Sequence, residues 1–192
     1  MANSWLIMGG AGAGTAVPDN QTRRMPLFGF LASTDTESRT QVLARDTYTL
    51  SKLQVRVIGN SLTVNATYTS RKNAAPGNQS ITVGAGLTGL FSDDVNSDNL
   101  VTGDLFNIQI STPLGAGSLV HSVLAAVLTS NNATPIQATT QPAGDVVDFG
   151  LTRGISLGGQ LYSFIGDPPL TFRQASTLSN LRVRVQSNNL DG

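Results

Sequence analysis

Four groups of residues in this sequence could carry chemistry, and each depends on the elements that would have to position it. Gly10-Ala11-Gly12-Ala13-Gly14-Thr15 follows an apolar start and is the kind of backbone that can cradle phosphate at a helix N-terminus. A nucleotide loop of that kind needs Gly-Lys-Ser/Thr, and the chain offers Gly14-Thr15-Ala16 with Pro18 blocking the helix that should follow. The tract is therefore expected to be flexible chain, with no bound nucleotide.

Asp94, Asn96 and Asp98 present alternating oxygen side chains, as calcium loops do at their start, and Asp93 and Asp104 lie close in sequence. The sixth position is Asn99 rather than Gly and the twelfth is Leu105 rather than Glu, so an EF-hand loop is excluded. A loop whose Asp and Asn side chains bond their own backbone is the expectation, with Asp94, Asn96 and Asp98 held as a weak metal candidate. His121 is the sole histidine and sits in an apolar run, which makes it a core or interface residue rather than a base. Paired carboxylates in a glycine-flanked cleft and His-x-x-x-His are missing, and no enzyme and no cofactor are expected.

Basic residues form the fourth group. Lys and Arg together number 12, Asp and Glu 12, and the formal charge is zero, so the chain has no basic field for nucleic acid or anionic membrane. Ten of the twelve cations are Arg, with Lys52 and Lys72 the exceptions, and Glu37 is the lone Glu beside eleven Asp. Arg suits fixed planar contacts and Asp suits turns. Arg71-Lys72-Asn73 is expected to cap a strand beside a turn, and Arg56, Arg182 and Arg184 to lie on outer strand faces, either solvated or touching a neighbouring protein. Cysteine is absent, which removes disulfides and thiolate metal sites. The N-terminus lacks the charged lead-in of a secretory signal, and the longest apolar run, residues 119–128, falls far below the roughly 20 residues that span a bilayer. Four Asn-x-Ser/Thr sequons, at Asn20, Asn65, Asn78 and Asn132, are what an Asn-, Ser- and Thr-rich chain produces by chance.

The elements implied are strands. Gly, Thr, Ser, Asn and Val are abundant, and helix-forming runs of Ala, Leu, Glu and Lys are lacking. Residues 1–34, with Pro18 and Pro26, form an extended N-terminal arm expected to lie on something else. Residues 50–58 alternate, with Leu53, Val55 and Val57 on one face. A turn at Asn60-Ser61 leads to a strand over 64–71, a turn over 73–78 and a strand at 81–83. Residues 92–99 are dense in Asp, Asn and Ser and are predicted as a surface loop, with a Gly103-Asp104 turn after it. Residues 105–111 form a strand with Phe106, Ile108 and Ile110 inward. Residues 119–128 are apolar on both faces, as in a central strand buried on both sides. Two shorter strands are expected near Ile136 and at 146–149. Seven or eight short strands at about ten-residue spacing make an all-β, antiparallel β-sandwich of the jelly-roll type.

An internal repeat adds to this. Thr49-Leu50-Ser51-Lys52-Leu53-Gln54-Val55-Arg56-Val57 returns as Thr177-Leu178-Ser179-Asn180-Leu181-Arg182-Val183-Arg184-Val185. The same spacing relates Arg45 to Arg173, Asn60 to Asn188 and Leu62 to Leu190. A looser echo links Thr22-Arg23 and Leu27-Phe28-Gly29-Phe30 to Thr152-Arg153 and Leu161-Tyr162-Ser163-Phe164. The division expected is an arm at 1–34, a jelly-roll sandwich at 35–150, and at 151–192 the opening strands of a second, incomplete unit. Either the polypeptide continues past Gly192, or these strands pair with the first sandwich or a neighbouring subunit, since an unpaired Leu-Arg-Val-Arg-Val edge invites aggregation.

Leu50-Ser51-x-Leu53-x-Val55-x-Val57, Thr67-x-x-x-Arg71-Lys72-Asn73, Gly86-x-Thr88-Gly89-x-Phe91-Ser92-Asp93 and Gly103-Asp104 resemble the strand-and-turn pattern of jelly-roll modules, similar to tumour-necrosis-factor folds, in tailed-phage virion proteins. The lead-in of a Gly/Ala tract and Met25-Pro26-Leu27-Phe28-Gly29 is also similar to the start of such proteins. The likeness covers residues 5–112 and again 152–192. It implies a trimeric module on the surface of a virion. The expected role is a capsid cement or decoration subunit on the major capsid protein, and the alternative is a tail-fibre or receptor-binding module that holds a host glycan. The contacts expected are Trp5, Arg23, Arg24, Phe28 and Phe30 in the arm, and Arg182 and Arg184 in the repeat.

Overall fold

The computed structural model describes residues 3–10, 16–27, 29–30, 35–130, 153–155 and 161–163, with side chains placed for 16–27 and 35–130. In chain order its strands are β1 (Asn3–Gly10), β2 (Val17–Pro18), β3 (Gln21–Met25), β4 (Gly29–Phe30), β5 (Val42–Leu43), β6 (Tyr48–Asn60), β7 (Ala66–Lys72), β8 (Ala75–Val83), β9 (Gly89–Leu100), β10 (Leu105–Thr112), β11 (Ser118–Ser130), β12 (Arg153–Ile155) and β13 (Leu161–Ser163). One 3-10 turn, Glu37–Arg39, interrupts them.

Two sheets pack face to face. Sheet A runs β4-β1-β11-β6-β9 with β2 also on β11, and sheet B runs β3-β10-β7-β8 with β5 also on β10. Leaving aside the two-residue strands, the eight long strands of the sandwich follow the order first-eighth-third-sixth in one sheet and second-seventh-fourth-fifth in the other. That is the jelly-roll connection, and the all-β sandwich expected from the alternation is the fold observed.

Alternation decides which side chains fill the core. Leu53, Val55 and Val57 of β6 and Leu119, Leu124 and Leu128 of β11 face Tyr68, Ile81, Phe106, Ile108 and Ile110 of sheet B, all buried. Each such side chain contributes about 1.5–3 kcal/mol on leaving water. β8 carries Pro76, which removes a ladder donor, and accordingly it is an edge strand.

Several elements differ from the expectation. The lead-in is extended, but its described parts lie in the sandwich rather than on something else. β1 pairs with β11 from Asn3 opposite Ser130 to Gly10 opposite Val123, and β3 pairs with β10 from Met25 opposite Ile108 to Gln21 opposite Thr112. Val17, Met25 and Leu27 are buried in the common core, so the segment carries its own inward face. The polar run 92–99 is a strand rather than a loop. Ser51 opposes Ser97 and Leu53 opposes Asp93, so residues 94–96 bulge out opposite the single Lys52, which sits at φ +52°. The turn after β7 is tighter than the 73–78 cluster suggests: Lys72 pairs with Ala75, leaving a two-residue loop at Asn73 and Ala74, with φ of +51° and +64°. β11 is central but half-open on its outer side, where Val123 is 37% exposed. The strands expected near Ile136 and at 146–149 lie outside the described residues.

The Asn73-Ala74 loop carries a prediction. Left-handed backbone at both central positions is the geometry for which Asn-Gly is preferred, and Ala74 meets it with a Cβ. Ala74→Gly is expected to stabilise the chain by about 0.5–1 kcal/mol, net of the flexibility that glycine adds to the unfolded state. A thermal midpoint for the variant at or below that of the parent would refute this.

Candidate functional site

The carboxylates singled out in the sequence are arranged around a backbone edge, not around a common point. β8 and β9 are the neighbouring edges of the two sheets, and β8 turns backbone N–H groups toward β9. Asp98 Oδ1 accepts from the Asn78 N–H at 2.6 Å, and Asp93 Oδ2 accepts from the Ser80 N–H at 2.8 Å. The exchange is reciprocal, because Asn78 Nδ2 donates to the Ser97 carbonyl at 2.9 Å and Lys72 Nζ to the Asn99 carbonyl at 2.8 Å. Side chains from each sheet thus close the open edge of the other.

Beneath this seam lies a buried polar clasp. Ser70 Oγ donates to Asp98 Oδ2 at 2.6 Å and accepts from the Gln79 N–H at 3.2 Å, while Gln79 Nε2 donates to the same Asp98 oxygen at 3.1 Å. Gln79 also crosses to sheet A. Its Oε1 accepts from the Leu53 N–H at 3.0 Å and its Nε2 donates to the Leu50 carbonyl at 3.1 Å, filling the gap that the Lys52 bulge opens in the ladder. Ser70, Gln79 and Asp98 are all buried. Gly77 makes room for them: a Cβ there would lie 2.6 Å from Asp98 Oδ1.

Asp94, Asn96 and Asp98 do not converge on a common point. Asp98 points inward, Asp94 is exposed and accepts from Ser92 Oγ at 2.7 Å, and Asn96 Nδ2 donates to the Asp93 carboxylate. No group of three or more His, Cys, Asp or Glu side chains among the described residues could hold a metal ion. Burial pushes the Asp93 carboxyl upward, but N–H donors from Asn96, Ser80 and Val95 outweigh it and hold the group below the ordinary carboxylate range. Asp104 is lowered as well, first by the Val101 N–H, against partial desolvation, and then by Lys72 and Asn73.

His121 lies between the sheets. A 3.1 Å hydrogen bond joins its Nδ1 to the Tyr68 hydroxyl, the rings meet edge to face, and Nε2 is buried without a partner. Burial lowers the imidazole to about 4 and pushes the tyrosine hydroxyl up. The sole histidine is a core residue, as its apolar setting in the sequence suggested.

The arginines divide. Arg71 forms a bidentate pair with Glu37, at 2.7 and 3.1 Å, donates to Gln109 Oε1 at 2.9 Å and also reaches the Ala74 carbonyl. Arg24, expected at an interface, lies 3.6 Å from the same Glu37 and donates to the Asp35 carbonyl at 2.6 Å, so it is engaged within its own chain. Arg23 is half-buried in β3 opposite Ile110. Trp5 lies in β1 opposite Leu128, and Phe30 lies in β4 beside Gly10. Phe28, Arg182 and Arg184 lie outside the described residues.

Arg56 is the arginine that stands with exposed apolar neighbours. On the outer face of sheet A, Val123 of β11, Arg56 of β6 and Leu90 of β9 are directly opposite one another across three adjacent strands. Leu90 is 67% exposed, and Ile58, the next outward position on β6, is 52% exposed. Exposed apolar residues scattered singly carry no meaning, whereas a row of them around an arginine has the composition of a contact surface. Sequence reasoning placed Arg56 outward but passed over Ile58 and Leu90. Strand parity was the available signal, because each neighbours an inward position.

The loops at one end of the sandwich are bonded to one another. Asn60 Nδ2 donates to the Gly84 and Leu87 carbonyls, Asn65 Oδ1 accepts from the Ala85 N–H, and the Thr63 N–H donates to the Ala116 carbonyl. The aromatic rings placed among the described side chains, Tyr48, Tyr68, Phe91 and Phe106, are buried or half-buried, so none offers a platform for a sugar.

Fold and site together define the class: a jelly-roll β-sandwich in which Asp93, Asp98, Asp104 and His121 are engaged in internal hydrogen bonds and the outer face of sheet A is partly apolar. Comparison with known proteins goes no further. No protein-family model, no curated protein and no solved structure matches the chain.

Proposed function

We propose that this chain is a structural subunit of a tailed-phage particle, of the cement or decoration type. In this reading it sits as a homo-oligomer, a trimer, on the outside of the major capsid lattice and adds buried contact area without performing a reaction. The observation that supports it best is the exposed row of Val123, Arg56 and Leu90 with Ile58 beside it, an apolar surface centred on the residue type most suited to planar contacts. The strand-and-turn resemblance to virion jelly rolls points the same way. So does the commitment of His121, Asp93, Asp98 and Asp104 to internal hydrogen bonds, which leaves the exterior for adhesion.

Reloading of stripped particles tests the proposal. Particles freed of this protein are expected to lose resistance to heat and osmotic shock and to recover it when the protein is added back. Arg56→Glu with Leu90→Asp should weaken reloading by at least about 30-fold, the size expected when a contact centre is lost. Stripped particles as robust as intact ones, or a double variant that reloads like the parent, would end the proposal.

A further inference from the structure

The first strand is joined to the second by more chain than their separation needs. β1 and β2 share one edge of β11, the edge away from β6, with Gly10 opposite Val123 and Val17 opposite Leu119. Between these two positions the chain takes seven steps while β11 takes four. Seven steps at full extension reach about 24 Å, whereas four positions along a strand span only about 14 Å. The surplus falls in Ala11-Gly12-Ala13-Gly14-Thr15-Ala16, which follows Gly9 and Gly10, a composition that lets a backbone change direction at little steric cost.

The chain is held differently on the two sides of that tract. Past it, residues 17–20 are fixed to their own sandwich: Val17 is buried, Thr112 Oγ1 donates to the Pro18 carbonyl at 2.6 Å, and the Asp19 and Asn20 N–H groups donate to the Gly117 and Pro113 carbonyls, each at 3.1 Å. Before it, β1 pairs with β11 over residues 3–10 and with β4 at Gly9 and Gly10. Residues 1–16 contain no charged side chain, and neither do residues 123–130 of β11. This ladder thus lacks the charges that discourage pairing with another chain. At the β8–β9 seam, by contrast, Asp93, Asp98 and Lys72 sit on the open edges.

We propose that β1 is exchanged between copies of this chain: residues 3–10 of one copy pair with residues 123–130 of a neighbour, in the register of the β1–β11 ladder, and the connection from Gly10 to Val17 passes between the copies. Exchange keeps every hydrogen bond of the ladder, because both copies supply the same strands, and it adds a link between them. It stops at Val17, since residues 17–20 are bonded to the 112–117 segment of their own chain. The exchange uses an edge of β11 and not the outer face of sheet A, so it does not rest on attachment to a particle.

Cysteines introduced into the full chain test it, because the chain has none of its own. Leu6→Cys and Val127→Cys change directly opposed residues; they are placed in separate chains with tags of different length and produced together. Neither chain can close a disulfide on itself, so oxidation should give mixed pairs, joined through positions 6 and 127, well in excess of pairs of like chains. Mixed pairs no more frequent than like pairs, or no covalent pairs, would overturn exchange. So would a chain carrying both changes that closes its disulfide as a monomer. A second test removes residues 11–13, which leaves four steps to match the four positions of β11. β1 should then run straight into β2 on its own β11, and light scattering should show an oligomeric parent become a folded monomer. A monomeric parent, or a folded variant that keeps the parent's mass, would refute the proposal.

Discussion

Asp98→Ala is expected to destabilise the sandwich by roughly 3–5 kcal/mol, because it strands several buried donors at once. Ser70 Oγ, the Asn78 N–H and Gln79 Nε2 all converge on this carboxylate, and Ser70 and Gln79 are nearly inaccessible to water. For a domain of this size the thermal midpoint should drop by roughly 10–20 °C. Asp98→Asn keeps the shape and one acceptor, and Ser70 Oγ can turn toward the Gln79 carbonyl 3.4 Å away, so it should cost less than half as much. A calorimetric scan in which the alanine and asparagine variants melt together, close to the parent, would show that the clasp contributes nothing. The loss should concentrate at the β8–β9 seam, since Gln79 also completes the β6 ladder at Leu50 and Leu53.

Acidification should produce the second large effect, through His121. Its folded value of about 4 lies below the ordinary 6.5 because burial disfavours the imidazolium. Between these values the unfolded chain takes up a proton that the folded chain refuses, so stability is present above about pH 6.5 and is lost as pH falls toward 4. The full loss is roughly 3 kcal/mol. The lowered carboxyls of Asp93 and Asp104 act in a different window, since their contribution is lost only below the ordinary carboxylate value of 3.8. Urea midpoints at several pH values between 7 and 4 should therefore decline in the parent and stay nearly level in His121→Gln, which keeps a neutral polar partner for Tyr68. Parallel slopes in both proteins would remove His121 as the cause.

The reciprocal capping of β8 and β9 also bears on how such a subunit could touch neighbours. Edge strands recruit other strands unless they are blocked, and here the block consists of Asp98, Asp93, Asn78 and Lys72 on backbone groups. On the proposed reading, association through the outer face of sheet A would use side chains rather than strand addition at β8 or β9. This is the geometry that the Arg56 and Leu90 variants probe.

How much of this was legible in the sequence depended on whether a signal was local. Period-two alternation placed Phe106, Ile108 and Ile110 inward in β10, and Leu53, Val55 and Val57 inward in β6, because a strand turns successive side chains to opposite faces whatever its partners are. The apolar setting of His121 announced a core residue for the same reason. The repeat was visible as text, and burial adds only that the five first-copy positions at which the copies differ, Lys52, Gln54, Ile58, Gly59 and Ser61, lie outside the core.

What tertiary structure alone decided was where polar residues went. Residues 92–99 have the composition of a loop and form most of β9: Asp93 does bond its own backbone, at the Val95 and Asn96 N–H groups, but Asp93 and Asp98 also find another strand's backbone within reach. Gln79 gave no signal at all, since its role depends on a bulge in a strand 26 residues away. The lead-in of residues 3–27 looked unpartnered because β1 and β3 bond to β11 and β10, roughly a hundred residues downstream. Composition and alternation act over a few residues, so the sequence by itself determined the class of fold and its inward faces. Pairing and polar satisfaction act across the whole chain, and only the folded structure could assign them.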